Sequence, residues 1–387
     1  MSFDSLRPPC PHMNDTHQAW RRSVRAFVDA QIMPYVDTWE AQGRIARDLF
    51  RKASEAGLLG IGYPTEYGGQ GMDGDRFHGI VLSEELARIG AGGVSSALMI
   101  HGIGLPPIMA LGSEPMKTEI GRAVLSGQHQ ISLGITEPSA GSDVAQIKTR
   151  AVRDSQGWRV SGCKTYITGG MTSKWLTTAV RTGADGMSGI SLLLIDLESD
   201  GVSRTELPKQ GWWASDTATL HFDDVFVPAG NMIGEENKGF HGIMANFNGE
   251  RLGMAAQAAA CARVCIEEAY AWASTRNTFG KRLVDHQVIR HKFASMAQRV
   301  WATTTMLDTY AWHVQNGNMP VAELAMLKVQ ASETMEYCAR EAMQILGGAG
   351  FIRGQRVERI YREVRVMAIG GGSEEIMRDL AARQLKL

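Results

Sequence analysis

Between about His129 and Pro228 the sequence abandons helical periodicity for short β-branched runs, and this break limits what the chain can fold into. The runs are ISLGIT, WRVSGCKTYIT, WLTTAVRT, ISLLLIDL and ATLHFDDVFV, separated by turn formers such as Asp154, Gly157, Gly183 and Asp185. Strands gathered in one block, not alternating with helices, predict a mostly antiparallel β domain and argue against a doubly wound dinucleotide fold. No GxGxxG follows a strand, so a Rossmann phosphate site has no support.

Both flanks are helical. Phe27, Ile32 and Val36 recur at helical spacing, and Pro64, Gly68, Gly69 and Gly71 interrupt the pattern. A helix start is predicted near Ser83, where SEEL offers a cap followed by acids that suit the helix dipole. From Gly239 the helical period returns, with Ile289, Phe293, Met296 and Val300 on one face. Leu324, Leu327, Ala331, Met335, Cys338, Ala342 and Ile345 make another. Asn316, Gly317 and Pro320 punctuate these helices, and the Gly347, Gly348, Gly350 cluster ends the last long one. The prediction is an α+β multidomain chain: an N-terminal α-helical domain over 1–127, a middle antiparallel β domain over 128–235 and a C-terminal helical domain over 236–387.

Charge and cysteine content narrow the function classes. Forty basic residues against 41 acidic ones leave a formal charge of -1, which offers no field for nucleic acid or an anionic membrane. No apolar run approaches the ~20 residues of a membrane span. The start, MSFDSLRPPCPHMND, lacks a basic segment followed by an apolar one, so a cytoplasmic protein is expected. Cys10, Cys163, Cys261, Cys265 and Cys338 are scattered, without a CxxC pair or a histidine ligand set, so neither disulfides nor structural zinc are expected. Cys261 and Cys265 read as core filler in an alanine run.

Three segments could carry chemistry. TEPSAGSD, from Thr136, runs a strand into a turn that presents several backbone N–H groups, which suits an anionic or carbonyl-bearing ligand such as a flavin edge or a pantetheine amide. A plain loop of surface serines fits the same residues. KTYITGG, from Lys164 to Gly170, sets Tyr166 at a strand end, where an aromatic either covers a flat ring or serves as an ordinary sheet residue. AIGGGSEE places Gly370, Gly371 and Gly372 before Ser373, which permits close approach of backbone to a ligand or a simple helix connection.

In order and wording these segments resemble the acyl-CoA dehydrogenase family over nearly the whole chain. TEPSAGSDVAQIKT, TFGKRLVDHQ, and QILGGAGF followed by YREVRVMAIGGGSEEI carry the likeness. The resemblance implies that family's fold, with a C-terminal four-helix bundle, an acyl-CoA substrate, and FAD held between the β domain and the C-terminal helices. It also implies a homotetramer built as a dimer of dimers, with electron-transferring flavoprotein as acceptor. By the same resemblance Leu133, Ile135, Thr136, Gly141 and Ser142 line the flavin or pyrophosphate. Tyr166, Ile167 and Thr168 cover the other ring face, Tyr166 standing where the family often has Trp. Arg276, Phe279, Gln287, Gln344, Ile345 and Gly348 match positions through which a neighbouring subunit holds the pyrophosphate and adenosine, and Ser373 and Glu375 match a further pair.

The reaction removes a proton from Cα while hydride leaves Cβ for flavin N5, so one carboxylate is required. Many relatives place it at the position of Gly371, which has no side chain here. In the isovaleryl-CoA and long-chain branches it projects instead from the helix matched by NKGFHGIMANFNGERLGMA, where Glu250 falls on the base position. Without the resemblance, Glu250 reads as an exposed helix acid paired with Arg251 or a residue one turn away. Glu374 and Glu375 are rivals in sequence, but the match sets them past the glycine turn. The resemblance also implies that Gly371 keeps a backbone N–H for the thioester carbonyl. Ser142, His241, Asn248 and Arg251 match positions along the CoA moiety, while Gly370 and Met99 match the acyl pocket and favour branched or longer chains. An acyl-CoA oxidase-like flavoenzyme and a non-catalytic, DNA-associated relative are the alternatives.

Overall fold

The β-branched block forms an eight-stranded sheet in a computed structural model that describes residues 1–71 and 75–387, apart from the side chains of His241, Ala245, Asn246 and Asn248. Its strands are β1 (Ile131–Gly134), β2 (Arg150–Arg153), β3 (Gly157–Thr168), β4 (Trp175–Arg181), β5 (Ile190–Asp196), β6 (Val202–Glu206), β7 (Thr217–Pro228) and β8 (Met232–Ile233). They lie in the order β6-β7-β3-β2-β4-β5-β8, with β1 beside β4. The contacts of β4 with β1 and β2 are parallel and the remaining pairs antiparallel.

The five apolar runs supply β1, β3, β4, β5 and β7. The strands they miss are short, and two of them, RAVR in β2 and VSRTE in β6, expose most of their side chains. On β5, Leu193 and Ile195 join a core with Val160, Leu176 and Leu220, while Ile190, Leu192 and Leu194 join one with Ile131, Leu105, Ile108 and Val124. Successive side chains of a strand point to opposite faces. Both faces are therefore covered, which explains why ISLLLID is continuously apolar and does not alternate.

Two compact units emerge from the contacts. One comprises Thr38–Asp73 and Gly93–Glu250, and contains the sheet; the other comprises Met1–Asp37, Gly74–Gly92 and Arg251–Leu387. The second unit contains α1 (Asp15–Phe27), α2 (Arg76–Ala87), the greater part of α3 (Gly239–Thr275), α4 (Gln287–Gln315), α5 (Val321–Leu346), α6 (Arg356–Ile369) and α7 (Glu374–Gln384). Helix α5 is its centre, packing on α4, α6 and α7. Its stripe from Leu324 to Ile345 is buried as the periodicity predicts, and the helix stops at Gly347, which adopts φ +61°.

The helix expected from Ser83 begins earlier. Asp75 caps α2, its Oδ1 accepting the Phe77 N–H at 2.8 Å, and this leaves Ser83, Glu84 and Glu85 in mid-helix. The SEEL acids are buried partners of arginines, not dipole acids. Asp75 Oδ2 also meets His17 Nε2 at 2.9 Å and His78 Nδ1 at 2.8 Å, a trio with metal-ligand spacing. His17 Nδ1 accepts the Asn14 N–H at 3.0 Å, which puts the proton of the neutral ring on Nε2 facing the carboxylate. The trio thus ties two helix caps together. All five cysteines are free, and among the described residues no single helix is long and apolar enough to cross a membrane.

Candidate active site

Hydrogen bonds fasten the segment Ser132–Glu137 to the end of β3. The Ser132 hydroxyl donates to the Thr168 carbonyl at 2.7 Å, and the Thr165 N–H donates to the Thr136 carbonyl at 2.9 Å. Lys164 Nζ donates to the Ile135 carbonyl at 3.0 Å. The two motifs TEPSAGSD and KTYITGG, separate in sequence, therefore form one surface.

A buried ion pair anchors this surface. Glu137 Oε1 takes Lys164 Nζ at 2.7 Å and the Thr149 N–H at 2.9 Å, while Oε2 takes the Lys148 N–H at 2.6 Å. One carboxylate thus closes the turn that carries Gly141 and Ser142, both exposed. Burial pushes Lys164 down to about 8 against the upward pull of Glu137. Burial alone would raise Glu137, but Lys164 and the two backbone donors hold it below the usual carboxylate range. Neither residue was singled out from the sequence. The available signal was a lysine within a strand run that otherwise reads as sheet core.

Tyr166 adopts φ +59°, in the left-handed region that bulky residues avoid, at an irregularity in the β3–β7 register between Lys164 and Ile167. Its side chain is 70% exposed. An aromatic held in a strained conformation and turned outward suits a platform for a flat ring. The side chains of Ile135 and Ile167 are buried in the sheet cores, so these residues offer a ligand only their backbone, whereas Leu133 and Thr168 are half-buried. Met99 is half-buried on the same unit.

At the other end of the chain, Gly371 and Gly372 adopt φ +65° and +105° between α6 and α7. Buried Lys328 of α5 clamps this turn, donating to the Ala368 carbonyl at 3.2 Å and the Gly372 carbonyl at 2.7 Å. A Cβ on Gly370 would meet the Met254 methyl at 3.8 Å. Met254 lies on α3 one helical turn after Glu250, on the same face, and Glu250 is half-buried. Glu374 is occupied by the Ser332 hydroxyl at 2.6 Å. Ser373 caps α7, its Oγ accepting the Ile376 N–H, and Glu375 in that first turn is held below the usual carboxylate range by the backbone N–H at the helix start and by Ser373.

Models of the N-terminal, middle and C-terminal domains of acyl-CoA dehydrogenases match residues 14–128, 132–225 and 237–386. The chain belongs to the acyl-CoA dehydrogenase family. It is 36% identical to an acyl-CoA dehydrogenase of Alternaria alternata, over 98% of this chain and 93% of that one. It is 33% identical to the mitochondrial long-chain specific acyl-CoA dehydrogenase of Sus scrofa, over 95% and 86%. Among solved structures, a probable acyl-CoA dehydrogenase from Mycobacterium abscessus superposes with a TM-score of 0.94 at 44% identity, covering 96% of this chain and 99% of that one. As an acyl-CoA dehydrogenase the chain is an FAD flavoprotein and an oxidoreductase acting on acyl-CoA.

The dehydrogenase's residues fit that cofactor. The exposed Gly141–Ser142 turn and the outward Tyr166 ring lie on a surface whose backbone is fixed by buried bonds. Arg276, Phe279, Gln287, Gln344 and Gly348 are exposed, Phe279 to 98% and at φ +50°, while the Ile345 side chain is buried and leaves only its backbone available. Arg251 is buried, which suits an orienting role on α3 more than a direct hold on substrate. The His241 and Asn248 side chains lie outside the described residues.

Proposed function

We propose that this enzyme dehydrogenates branched or medium-to-long acyl-CoA thioesters to the trans-2-enoyl-CoA, with Glu250 as the base. FAD, when bound, supplies the acceptor for the hydride that leaves Cβ. The carrying observation is the glycine turn: Gly371, at φ +65°, has no carboxylate, while α3 offers Glu250 as a half-buried acid. Glu250 takes the α-proton, and the Gly371 N–H donates to the thioester carbonyl, which makes that proton more acidic. The absence of a carboxylate and of any bulk at Gly370–Gly372 leaves room for the acyl chain beside Met254, an adaptable apolar side chain.

Leu133, Thr136, Gly141, Ser142, Tyr166 and Thr168 hold the flavin, and Arg276 provides a fixed charge for its diphosphate. Two electrons leave through electron-transferring flavoprotein. Exposed Phe279, Phe351 and Ile352, at 98%, 85% and 61%, support burial of this region in a homotetramer. The test is a panel of acyl-CoAs mixed anaerobically with the oxidised enzyme while the flavin absorbance is followed. Branched or longer thioesters are expected to bleach it fastest. Fastest bleaching by butyryl-CoA would remove the chain-length assignment.

A further inference from the structure

A cleft of about 380 Å³ opens in the unit formed by the N-terminal segment and the helices, and arginine dominates its walls. Arg7, Arg21, Arg22, Arg25 and Arg263 line it, with Asp4 as the acid on the wall. Behind them sit Glu84, Glu85 and Asp308. Glu84 pairs with Arg7 at 3.0 Å, Arg21 at 2.7 Å and Arg263 at 3.1 Å. Glu85 pairs with Arg21 at 3.1 Å and Arg25 at 2.8 Å, and Asp308 pairs with Arg7 at 2.8 Å. Burial would raise Glu84, but Arg263, Arg7 and Arg21 hold it down to about 2. Five guanidinium groups thus face four carboxylates, and the excess positive charge belongs to exposed Arg22 at the rim.

Arg263 is the unusual member. It is 1% exposed and stacked on Phe3, with Cζ 4.1 Å from the ring centroid, yet its Nε, Nη1 and Nη2 have no hydrogen-bond partner among the described residues. Its ion pair with Glu84 uses Nη2 alone. A buried guanidinium with unused donors is costly, and burial together with Arg7 and Arg21 already disfavours its charge. Arg263 is among the side chains lining the arginine-rich cleft, and a planar guanidinium edge matches the geometry of a carboxylate or phosphate.

We propose that this cleft binds a small oxyanion, as a free phosphate or as the phosphate or carboxylate of a metabolite, with Arg263 as the buried donor and Arg22 as the rim charge. The flavin-holding turn and Glu250 belong to the other unit, so the proposal does not rest on the dehydrogenase assignment.

The test is calorimetric titration of the FAD-loaded enzyme with inorganic phosphate, and separately with acetate, at ionic strength fixed with chloride. Saturable binding of phosphate, at least fivefold weaker in Arg22→Gln, is expected, and Arg263→Lys, if it folds, abolishes it. Acetate matching phosphate would assign the site to carboxylates; phosphate alone would assign it to phosphates. No saturable heat, or phosphate affinity unchanged in Arg22→Gln, overturns the proposal and leaves a hydrated charge cluster. Arg22 is exposed, so this variant is expected to fold whatever the fate of Arg263→Lys.

Discussion

Replacing Glu137 by glutamine tests whether the buried pair in the β unit fixes the turn proposed to hold the flavin. Glutamine keeps the shape but exchanges one acceptor oxygen for an NH₂ group. Oε1 serves Lys164 and Thr149, and Oε2 serves Lys148, so either amide orientation sets a donor against a donor. Lys164, fully buried, also loses its counter-ion. Breaking a buried pair costs about 3–5 kcal/mol. Burial already pushes Lys164 down to about 8, so shedding its proton limits the damage, and about 3 kcal/mol is expected. At roughly 2–4 °C per kcal/mol for a domain of this size, the melting temperature should fall by about 6–12 °C. Thermal unfolding followed by circular dichroism measures this, and equilibrium dialysis measures flavin affinity, expected to fall at least tenfold because the turn carries Gly141 and Ser142. Glu137→Leu combined with Lys164→Met should be milder than the sum of its singles, since it leaves no charge unpaired. A melting temperature within a degree of wild type, with flavin affinity unchanged, would refute the reasoning.

Other positions give independent checks. Tyr166→Gly should stabilise the apoprotein by about 1 kcal/mol by relieving the left-handed backbone, yet weaken flavin binding, a trade visible by melting apo- and holoenzyme side by side. Gly371→Ala should cost about 1 kcal/mol at φ +65° and lower kcat more than it raises KM, because it displaces the N–H assigned to the carbonyl; steady-state kinetics would show an unchanged kcat if that assignment fails. His101, buried with Nε2 on the Leu59 carbonyl, is pushed by burial down to about 4. Between that value and its unfolded value near 6.5 the unfolded chain binds the extra proton, so stability rises with pH across this window and up to about 3 kcal/mol is lost as pH falls through it. His101→Gln should flatten that slope in urea unfolding at pH 4.5 to 7; an unchanged slope would locate the acid sensitivity elsewhere.

The sheet was legible because its strands are buried on both faces and so read as unbroken apolar runs, whereas β2, β6 and β8 are too short or too polar to announce themselves. The stripe along α5 was equally plain, since its period matches the face it buries. Ser83 misled because a serine followed by acids looks the same whether those acids meet a helix dipole or half-buried arginines such as Arg7 and Arg21. Within the site, the motifs located the turn, but not what fixes it. Glu137 with Lys164, and Lys328 beneath the glycine turn, act through pairings across 27 and 44 residues that no local pattern encodes. The strain at Tyr166 likewise depends on a register irregularity between β3 and β7, which only the folded sheet reveals.

The central claim is that the base stands at Glu250, on α3, and not in the turn at Gly371. Stopped-flow mixing of Glu250→Gln with its best acyl-CoA under anaerobic conditions measures it directly. Flavin occupancy and thioester binding should persist while bleaching slows by about 10²–10⁴-fold. Bleaching at the wild-type rate would contradict the account.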